Sequence, residues 1–271
     1  MSYVGRFAPS PTGPLHAGSL VAAVASFLDA RKQGGQWLVR IEDLDPPRED
    51  PAAPAIILEQ LRVHGLHWDG DVVYQSNRLD AYAEALTRLA PMTFRCDCSR
   101  KTAGQPYLGA CRNKAAEEVK DPCAIRFIAS GNEVAIEDAS AGHHTWDPAR
   151  DVGDFIIRRR DGLFAYQLAV VVDDAAAGVT HVVRGIDLLE STPRQVLLMR
   201  ALGFPVPEYR HVPVVVGTDG HKLSKQTGAA AIPEDTPGKN LQIALAFLGM
   251  ELPVARPAQL LEMAIEAWPG D

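Results

Sequence analysis

Apolar residues recur along the chain in two rhythms. Val4, Phe7 and Ala8 form a short apolar run that Pro9, Pro11, Gly13 and Pro14 interrupt, which predicts a buried strand followed by a turn. From Leu15 to Ala30 the rhythm changes: Leu20, Val24, Phe27 and Leu28 recur at a spacing of about 3.6 residues, the period of a helix with one buried face. Trp37 to Ile41 predicts a second strand with Glu42 at its C-terminal end, and the proline-rich stretch Asp45 to Pro54 predicts a loop. Ala55 to Leu66 and Leu79 to Leu89 follow as helices. Phe164 to Val172 predicts a buried strand ending at Asp173-Asp174, His181 to Val183 another leading into Arg184, and Val212 to Val216 a third that ends in the turn Gly217 to Gly220. Asn240 to Met250 and Gln259 to Trp268 return to helical spacing, with Leu241, Ala244, Leu245 and Leu248 on one side.

Strands alternating with helices predict an α/β fold with a doubly wound, Rossmann-type parallel sheet, interrupted by an inserted module. The expected organisation is a first half of the catalytic domain over 1–90, an insertion over 91–165, a second half over 166–230 and a short helical C-terminal appendage over 231–271. In such sheets ligands sit at the carboxyl ends of strands, where Glu42 and Arg184 fall.

Composition narrows the class without naming a chemistry. With 271 residues, 46% hydrophobic and 23% charged, the chain is long enough for a substantial core. It has no apolar run of membrane-spanning length and no charged-then-apolar leader at Met1 to Gly13, so a cytoplasmic protein with no membrane association is expected. A net charge of −7 speaks against a basic coat. RNA, if bound, would use a local patch such as Arg158-Arg159-Arg160 or the segment from Arg95 to Lys114.

Chemistry concentrates in two distant stretches and one cysteine cluster. Arg6-Phe7-Ala8-Pro9-Ser10-Pro11-Thr12-Gly13-Pro14-Leu15-His16-Ala17-Gly18-Ser19 places His16 to Ser19 at the first turn of the first helix. Unpaired N–H groups and the positive dipole end favour an anion there, Gly18 lets it approach the backbone, and an imidazole can donate to charge developing on phosphate. Late in the chain, Lys222-Leu223-Ser224-Lys225-Gln226 puts two lysines around a serine, so the two stretches could grip a nucleoside triphosphate from both ends. Cys96, Cys98 and Cys111 can hold zinc, with Tyr107 or Cys123 as the fourth ligand. Composition alone favours Cys123, because thiolate is the softer ligand and a tyrosine must lose a proton of pKa about 10.

The two stretches resemble the histidine–glycine and lysine–serine–lysine signatures of class I aminoacyl-tRNA synthetases. Arg6 to Gly13, Arg40 to Pro46, Thr180 to Leu188 and Thr192-Pro193-Arg194-Gln195 are similar to segments of the glutamyl branch. Ser19 stands where many members carry a second histidine, and Gln226 where a serine often ends the lysine loop. A glutamyl-tRNA synthetase would continue after Lys225 into a large anticodon-binding region, whereas this chain has only the two short helical segments. That form resembles the glutamyl-Q tRNA(Asp) synthetase family, stand-alone paralogues of the catalytic half.

The resemblance implies ATP-dependent activation of L-glutamate without tRNA, with Mg²⁺ accompanying ATP. Transfer to queuosine in the anticodon loop of tRNA(Asp) would follow. It implies His16, Lys222 and Lys225 as catalytic residues, with His16, Gly18 and Lys225 on ATP, and Arg6, Ser10, Glu42, Tyr166 and Arg184 on glutamate. Arg6 and Arg184 would supply cations, Glu42 the counter-charge for the α-ammonium, and Ser10 and Tyr166 hydroxyls. It also implies one structural Zn²⁺ on Cys96, Cys98, Tyr107 and Cys111, leaving Cys123 a buried thiol. A monomer is expected, and His143 and His144 are expected on the surface or in the core, away from the chemistry. Two other readings stay open: a compact glutamyl-tRNA synthetase charging a tRNA 3′ end, and a non-catalytic paralogue that binds glutamate or adenylate.

Overall fold

The fold was analysed in a computed structural model that describes residues 2–99, 101–215 and 230–270. Strand β1 (Val4–Phe7) pairs in parallel with β2 (Gln36–Ile41), and β2 with β3 (Val73–Tyr74). On the opposite side of β1, the Thr180 N–H donates to the Val4 carbonyl at 2.9 Å and the Val4 N–H donates to Thr180 Oγ1 at 2.9 Å. These bonds bring in β9 (His181–Gly185), which pairs in parallel with β10 (Glu208–Val212). The spatial order β3-β2-β1-β9-β10 turns outward in both directions from β1 and β9, the switch point at which doubly wound sheets bind ligands.

Alternate strand residues feed two cores, one on each face of this sheet. Phe7, Val39, Val183 and Val212 pack with α1 (Ala17–Lys32), α2 (Ala53–Val63), α6 (Pro237–Phe247) and α7 (Pro257–Ala267). Val4, Val182 and Tyr209 pack with α3 (Leu79–Arg88), α4 (Tyr166–Ala176) and α5 (Thr192–Leu202) on the other face. The two C-terminal helices are therefore part of the main core: Leu241, Leu245, Leu260 and Trp268 are buried against it. Among the described residues no helix is long and apolar enough to cross a membrane.

The insertion contains an antiparallel sheet of β4 (Thr93–Cys96), β5 (Ala124–Phe127) and β8 (Phe155–Arg158). It also contains a hairpin of β6 (Val134–Asp138) and β7 (Gly142–Trp146). The hairpin joins the main sheet, because β6 lies parallel to β10 with Asp138 opposite Tyr209.

Two strands predicted from the sequence are corrected. Phe164 to Val172 is not a strand: from Tyr166 it forms α4, which runs through Asp173 and Asp174. Leu168, Ala169, Val170, Val171 and Val172 are all buried, and a helix apolar on every side reads like a buried strand when only hydrophobicity is counted. The strand predicted over Val212 to Val216 lies earlier, at Glu208–Val212, because Pro213 has no N–H to continue the ladder. Val216 and the turn Gly217 to Gly220 lie outside the described residues.

One carboxylate fastens the back of this assembly. Asp29, 4% exposed on α1, accepts from Tyr3 Oη at 2.6 Å and Trp268 Nε1 at 2.7 Å, and pairs with Arg210 Nε at 3.0 Å. It thereby joins the chain before β1, helix α1, strand β10 and the residue closing α7. Replacing it leaves buried donors and a buried guanidinium without this acceptor, so Asp29→Ala is expected to lose about 3–5 kcal/mol of stability. Urea unfolding measures this directly, and a loss below about 1 kcal/mol would show that the contacts carry no such weight.

Candidate active site

Helix α1 begins in an unusual way. His16 is its N-cap, with extended φ/ψ of −111° and 172°, and its Nδ1 accepts the Ser19 N–H at 3.3 Å. Ser19 Oγ in turn accepts the His16 N–H at 2.8 Å, closing a capping box. With Nδ1 serving as acceptor, the neutral ring carries its proton on Nε2. The Ala17 and Gly18 N–H groups stand in the first turn of the helix, where no preceding helical turn supplies their acceptors.

This helix start borders a cleft of 640 Å³. Arg6 reaches it from β1, Ser10 from the turn after β1, and Glu42 from the end of β2. Tyr166 enters from the first turn of α4 and Arg184 from β9, while His16 and Gly18 line it from α1. The described residues that the sequence assigned to ATP and glutamate thus converge on one cavity. Three come from strand ends, and Tyr166 comes from a helix rather than the expected strand. Lys222, Lys225 and Gln226 lie outside the described residues. His143 and His144 belong to β7, away from the cleft, with His143 bonded to Glu137 and His144 stacked on Trp146.

Beneath the cleft, Arg6, Arg40 and Arg78 face Glu42, Asp173 and Asp174, charge for charge. Arg40 donates to Glu42 Oε1 at 3.1 Å and to Asp174 Oδ1 at 2.7 Å, while Arg6 Nε reaches both Asp174 oxygens at 3.3 Å. Asp173 accepts from Gln75 at 2.7 Å and Tyr82 at 2.8 Å, and also pairs with Arg78. Burial drives the Asp174 carboxyl upward, but Arg6 and Arg40 more than reverse this and hold it ionised. Glu42 goes the other way. Burial outweighs the attraction of Arg40 and Arg6 and leaves its carboxyl above the ordinary range.

Arg184 is the charge left over. It is 5% exposed and donates Nε to His211 Nε2 at 3.0 Å, Nη1 to Gln195 Oε1 at 2.7 Å, and Nη2 to Thr192 Oγ1 at 2.8 Å and the Leu188 carbonyl at 3.4 Å. Every one of these acceptors is neutral, and among the described residues none of its partners is a carboxylate. A buried guanidinium solvated by neutral groups retains charge that an anion entering the cleft could meet. Sequence reasoning found Arg184 but missed its supports Thr192, Gln195 and His211. The first two stand in a matched segment and so carried a signal, whereas His211 did not.

The second cluster lies in the insertion. The ligand atoms of Cys96, Cys98 and Cys111 lie within 4.8 Å of one another and could hold a metal ion. Tyr107 Oη is 3.4 Å from Cys96 Sγ and 3.6 Å from Cys98 Sγ, and Cys98 Sγ is 3.5 Å from Cys111 Sγ. Gly153, at φ +66°, backs onto Tyr107, where a Cβ would stand 2.6 Å from the Tyr107 nitrogen. Arg126 lies over the Tyr107 ring at 3.9 Å and donates Nε to Cys96 Sγ at 3.2 Å. Burial raises the Cys96 thiol, but bonds from Tyr107 and Arg126 overcome it and bring its pKa down to about 7. Cys123 stands outside this group. It is half-exposed rather than buried as expected, and it accepts from Arg95 Nε at 3.2 Å, which holds it beside Asp121 instead. The arginines proposed for RNA are tied down too, with Arg159 on Asp45 and Asp161 and Arg160 on the Asp97 carbonyl.

Residues 3–240 match the family described as tRNA synthetases class I (E and Q), catalytic domain. A protein of Thiobacillus denitrificans named glutamyl-Q tRNA(Asp) synthetase is 53% identical over 98% of this chain and 93% of its own length. One of the same name from Pseudomonas fluorescens is 49% identical over 98% and 92%. Among solved structures, the glutamate-tRNA synthetase of Elizabethkingia anophelis superposes with a TM-score of 0.81 at 24% identity, covering 97% of this chain. The chain spans 65% of that longer protein.

Glu42 offers a pH test. Because its folded carboxyl sits above the ordinary value of 4.5, the native state binds more protons than the unfolded chain just above that value. Stability therefore falls as pH rises through the window from 4.5 to the raised value. Glu42→Gln removes the penalty, so its melting temperature relative to the unaltered protein should be higher at pH 8 than at pH 4. Thermal melts at the two pH values decide it, and the opposite ordering would show that Arg40 and Arg6 dominate.

Proposed function

The chain belongs to the class I tRNA synthetases of the glutamate and glutamine type, and from that premise we propose that it activates L-glutamate with ATP and transfers it to tRNA(Asp). The observation that carries the reading is Arg184, a buried cation bonded to no carboxylate among the described residues, in the same cleft as Glu42. Glutamate has two carboxylates and one ammonium, and the cleft places the Arg6 and Arg184 guanidinium groups and the Glu42 carboxyl where they could meet them. The acceptor we assign is queuosine in the anticodon loop, following the names of the relatives.

In the first step an α-carboxylate oxygen of glutamate forms a bond to the α-phosphorus of ATP. The bond to the bridging oxygen breaks and pyrophosphate leaves. His16, protonated on Nε2 because Nδ1 accepts the Ser19 N–H, would stabilise charge on the α-phosphoryl group, beside the N–H groups of Ala17 and Gly18. Lys225 would act on the same charge from the lysine loop and Lys222 would help to close it. Mg²⁺ arriving with ATP supplies neutralisation of the phosphates. Arg6, Ser10, Tyr166 and Arg184 would hold glutamate so that the attack is a matter of orientation. In the second step an RNA hydroxyl attacks the adenylate carbonyl and releases AMP.

For the cysteine cluster we assign zinc, held by Cys96, Cys98, Tyr107 and Cys111. A tetrahedral zinc with sulfur at about 2.3 Å and oxygen at about 2.0 Å requires S···S edges of about 3.8 Å and S···O edges of about 3.5 Å. The thiol–phenol separations of 3.4 and 3.6 Å and the Cys98–Cys111 separation of 3.5 Å fit that size. Burial and the neighbouring sulfurs push the Tyr107 phenol up, an effect that a divalent cation would oppose. The metal supplies a structural cross-link for the insertion.

The reading is tested by glutamate-dependent ATP–pyrophosphate exchange without RNA, followed by transfer of labelled glutamate to tRNA(Asp) with and without queuosine. Exchange together with queuosine-dependent label is the expected result. Label on the 3′ end of tRNA(Glu) would instead identify a compact synthetase, and absence of exchange would reduce the chain to a binding protein. For the metal, Tyr107→Phe should weaken zinc binding about tenfold or more in a chelator competition, while Cys123→Ser leaves it unchanged. The reverse pattern would move the fourth ligand to Cys123.

A further inference from the structure

Bonded to Arg184 through His211 lies a buried pair that neither the sequence motifs nor the proposed chemistry uses. His211 Nδ1 meets Asp138 Oδ2 at 2.5 Å, and both side chains are wholly buried. Asp138 comes from the inserted β6 strand and His211 from β10 of the main sheet. The carboxylate also accepts N–H groups from His211 at 3.1 Å, Ser140 at 3.0 Å and Ala141 at 2.7 Å, so its position is set by backbone.

This arrangement determines what His211 shows to Arg184. A carboxylate at Nδ1 requires the proton there, which leaves Nε2 as a lone pair. Only that tautomer can accept the Arg184 Nε–H, 3.0 Å away, since the other would set two N–H groups against each other. Arg184 is a planar fork, so fixing Nε together with the bonds to Thr192 and Gln195 fixes the plane in which its remaining N–H points. Tyr209 completes the support, its ring lying 5.4 Å from the Arg184 guanidinium and 5.9 Å from the His211 ring.

We propose that Asp138 and His211 form a positioning relay, Asp138 to His211 to Arg184, by which the inserted hairpin sets the plane of the guanidinium that receives a glutamate carboxylate. Neither residue touches substrate; both act through Arg184. The proposal rests on the reading of the cleft as a glutamate site. It differs from a merely structural role, in which the pair would only tie the hairpin to the sheet.

Two substitutions at one position separate these roles. His211→Asn keeps a donor where Nδ1 stood, preserving the bond to Asp138, but has no acceptor where Nε2 stood. His211→Gln keeps an acceptor at the Nε2 position. With the full chain, Michaelis constants for L-glutamate and ATP are read from pyrophosphate exchange, and folding is checked by circular dichroism. His211→Asn should raise the glutamate constant about tenfold, the size expected when one buried charged donor loses its acceptor, with the ATP constant within about twofold. His211→Gln should recover most of the loss. A harmless His211→Asn, or glutamate and ATP constants rising together in both variants, would overturn the relay. Should His211→Asn not fold, His211→Gln with a glutamate constant raised about tenfold at an unchanged melting temperature would overturn it equally. Absence of exchange in the unaltered protein would instead remove the glutamate reading and the relay with it.

Discussion

A buried cation whose hydrogen-bond acceptors among the described residues are all neutral is the constraint around which the rest of this molecule is arranged. Burying an unpaired ion costs several kcal/mol even after relaxation, about as much as a whole domain's margin of stability can spare. Arg184 is tolerated because His211, Gln195, Thr192 and the Leu188 carbonyl replace the water it has lost. Replacement by neutral dipoles solvates the charge without cancelling it. The neighbouring network follows the opposite rule, pairing each of Arg6, Arg40 and Arg78 with a carboxylate. The cleft thus gains a cationic pole at Arg184, beside a network in which Glu42 is held by Arg40, from differences in pairing rather than in composition.

That arrangement depends on long-range architecture. Arg6 and Glu42 come from adjacent strands early in the chain, whereas Asp174 and Arg184 arrive much later on α4 and β9, with Arg6 and Asp174 separated by 168 residues. The switch point between β1 and β9 is the one place where these segments meet. The insertion has a part in the same site, because its β6 strand extends the main sheet and delivers Asp138 to His211. On the far side, Asp29 ties the start of the chain to its last helix, so the C-terminal segment completes the core instead of hanging from it.

Much of the site was legible because its residues stand in short, position-specific segments. Arg6, Ser10, His16, Glu42 and Arg184 all reach one cleft, and local signals such as prolines ending a strand located them. What escaped was whatever depends on three dimensions. Phe164 to Val172 reads as a strand because burial on all sides erases helical periodicity, and with that misreading Asp173 and Asp174 looked like strand-end residues rather than the buried base of an ion network. His211 was treated as any other histidine, since nothing near it in sequence announces a partner 73 residues away. Softness alone also pointed to Cys123, yet Arg95 holds that thiol elsewhere while Tyr107 stands among the other three sulfurs.

The start of α1 shows why a departure from family pattern need not weaken a site. Histidine is a poor N-cap compared with serine, threonine, asparagine or aspartate, so placing His16 there costs local stability. Ser19 answers that cost by bonding the His16 N–H and donating to its carbonyl, while its own N–H fastens His16 Nδ1. A second histidine at this position could not supply so short a hydroxyl to both backbone groups. The serine hydroxyl thus braces the backbone of the cap, while the backbone N–H of the same residue sets the tautomer of His16. A functional side chain in a locally unfavourable place, held by a neighbour suited to that task, is the same device seen at Arg184, where His211 fixes the guanidinium and Asp138 fixes His211.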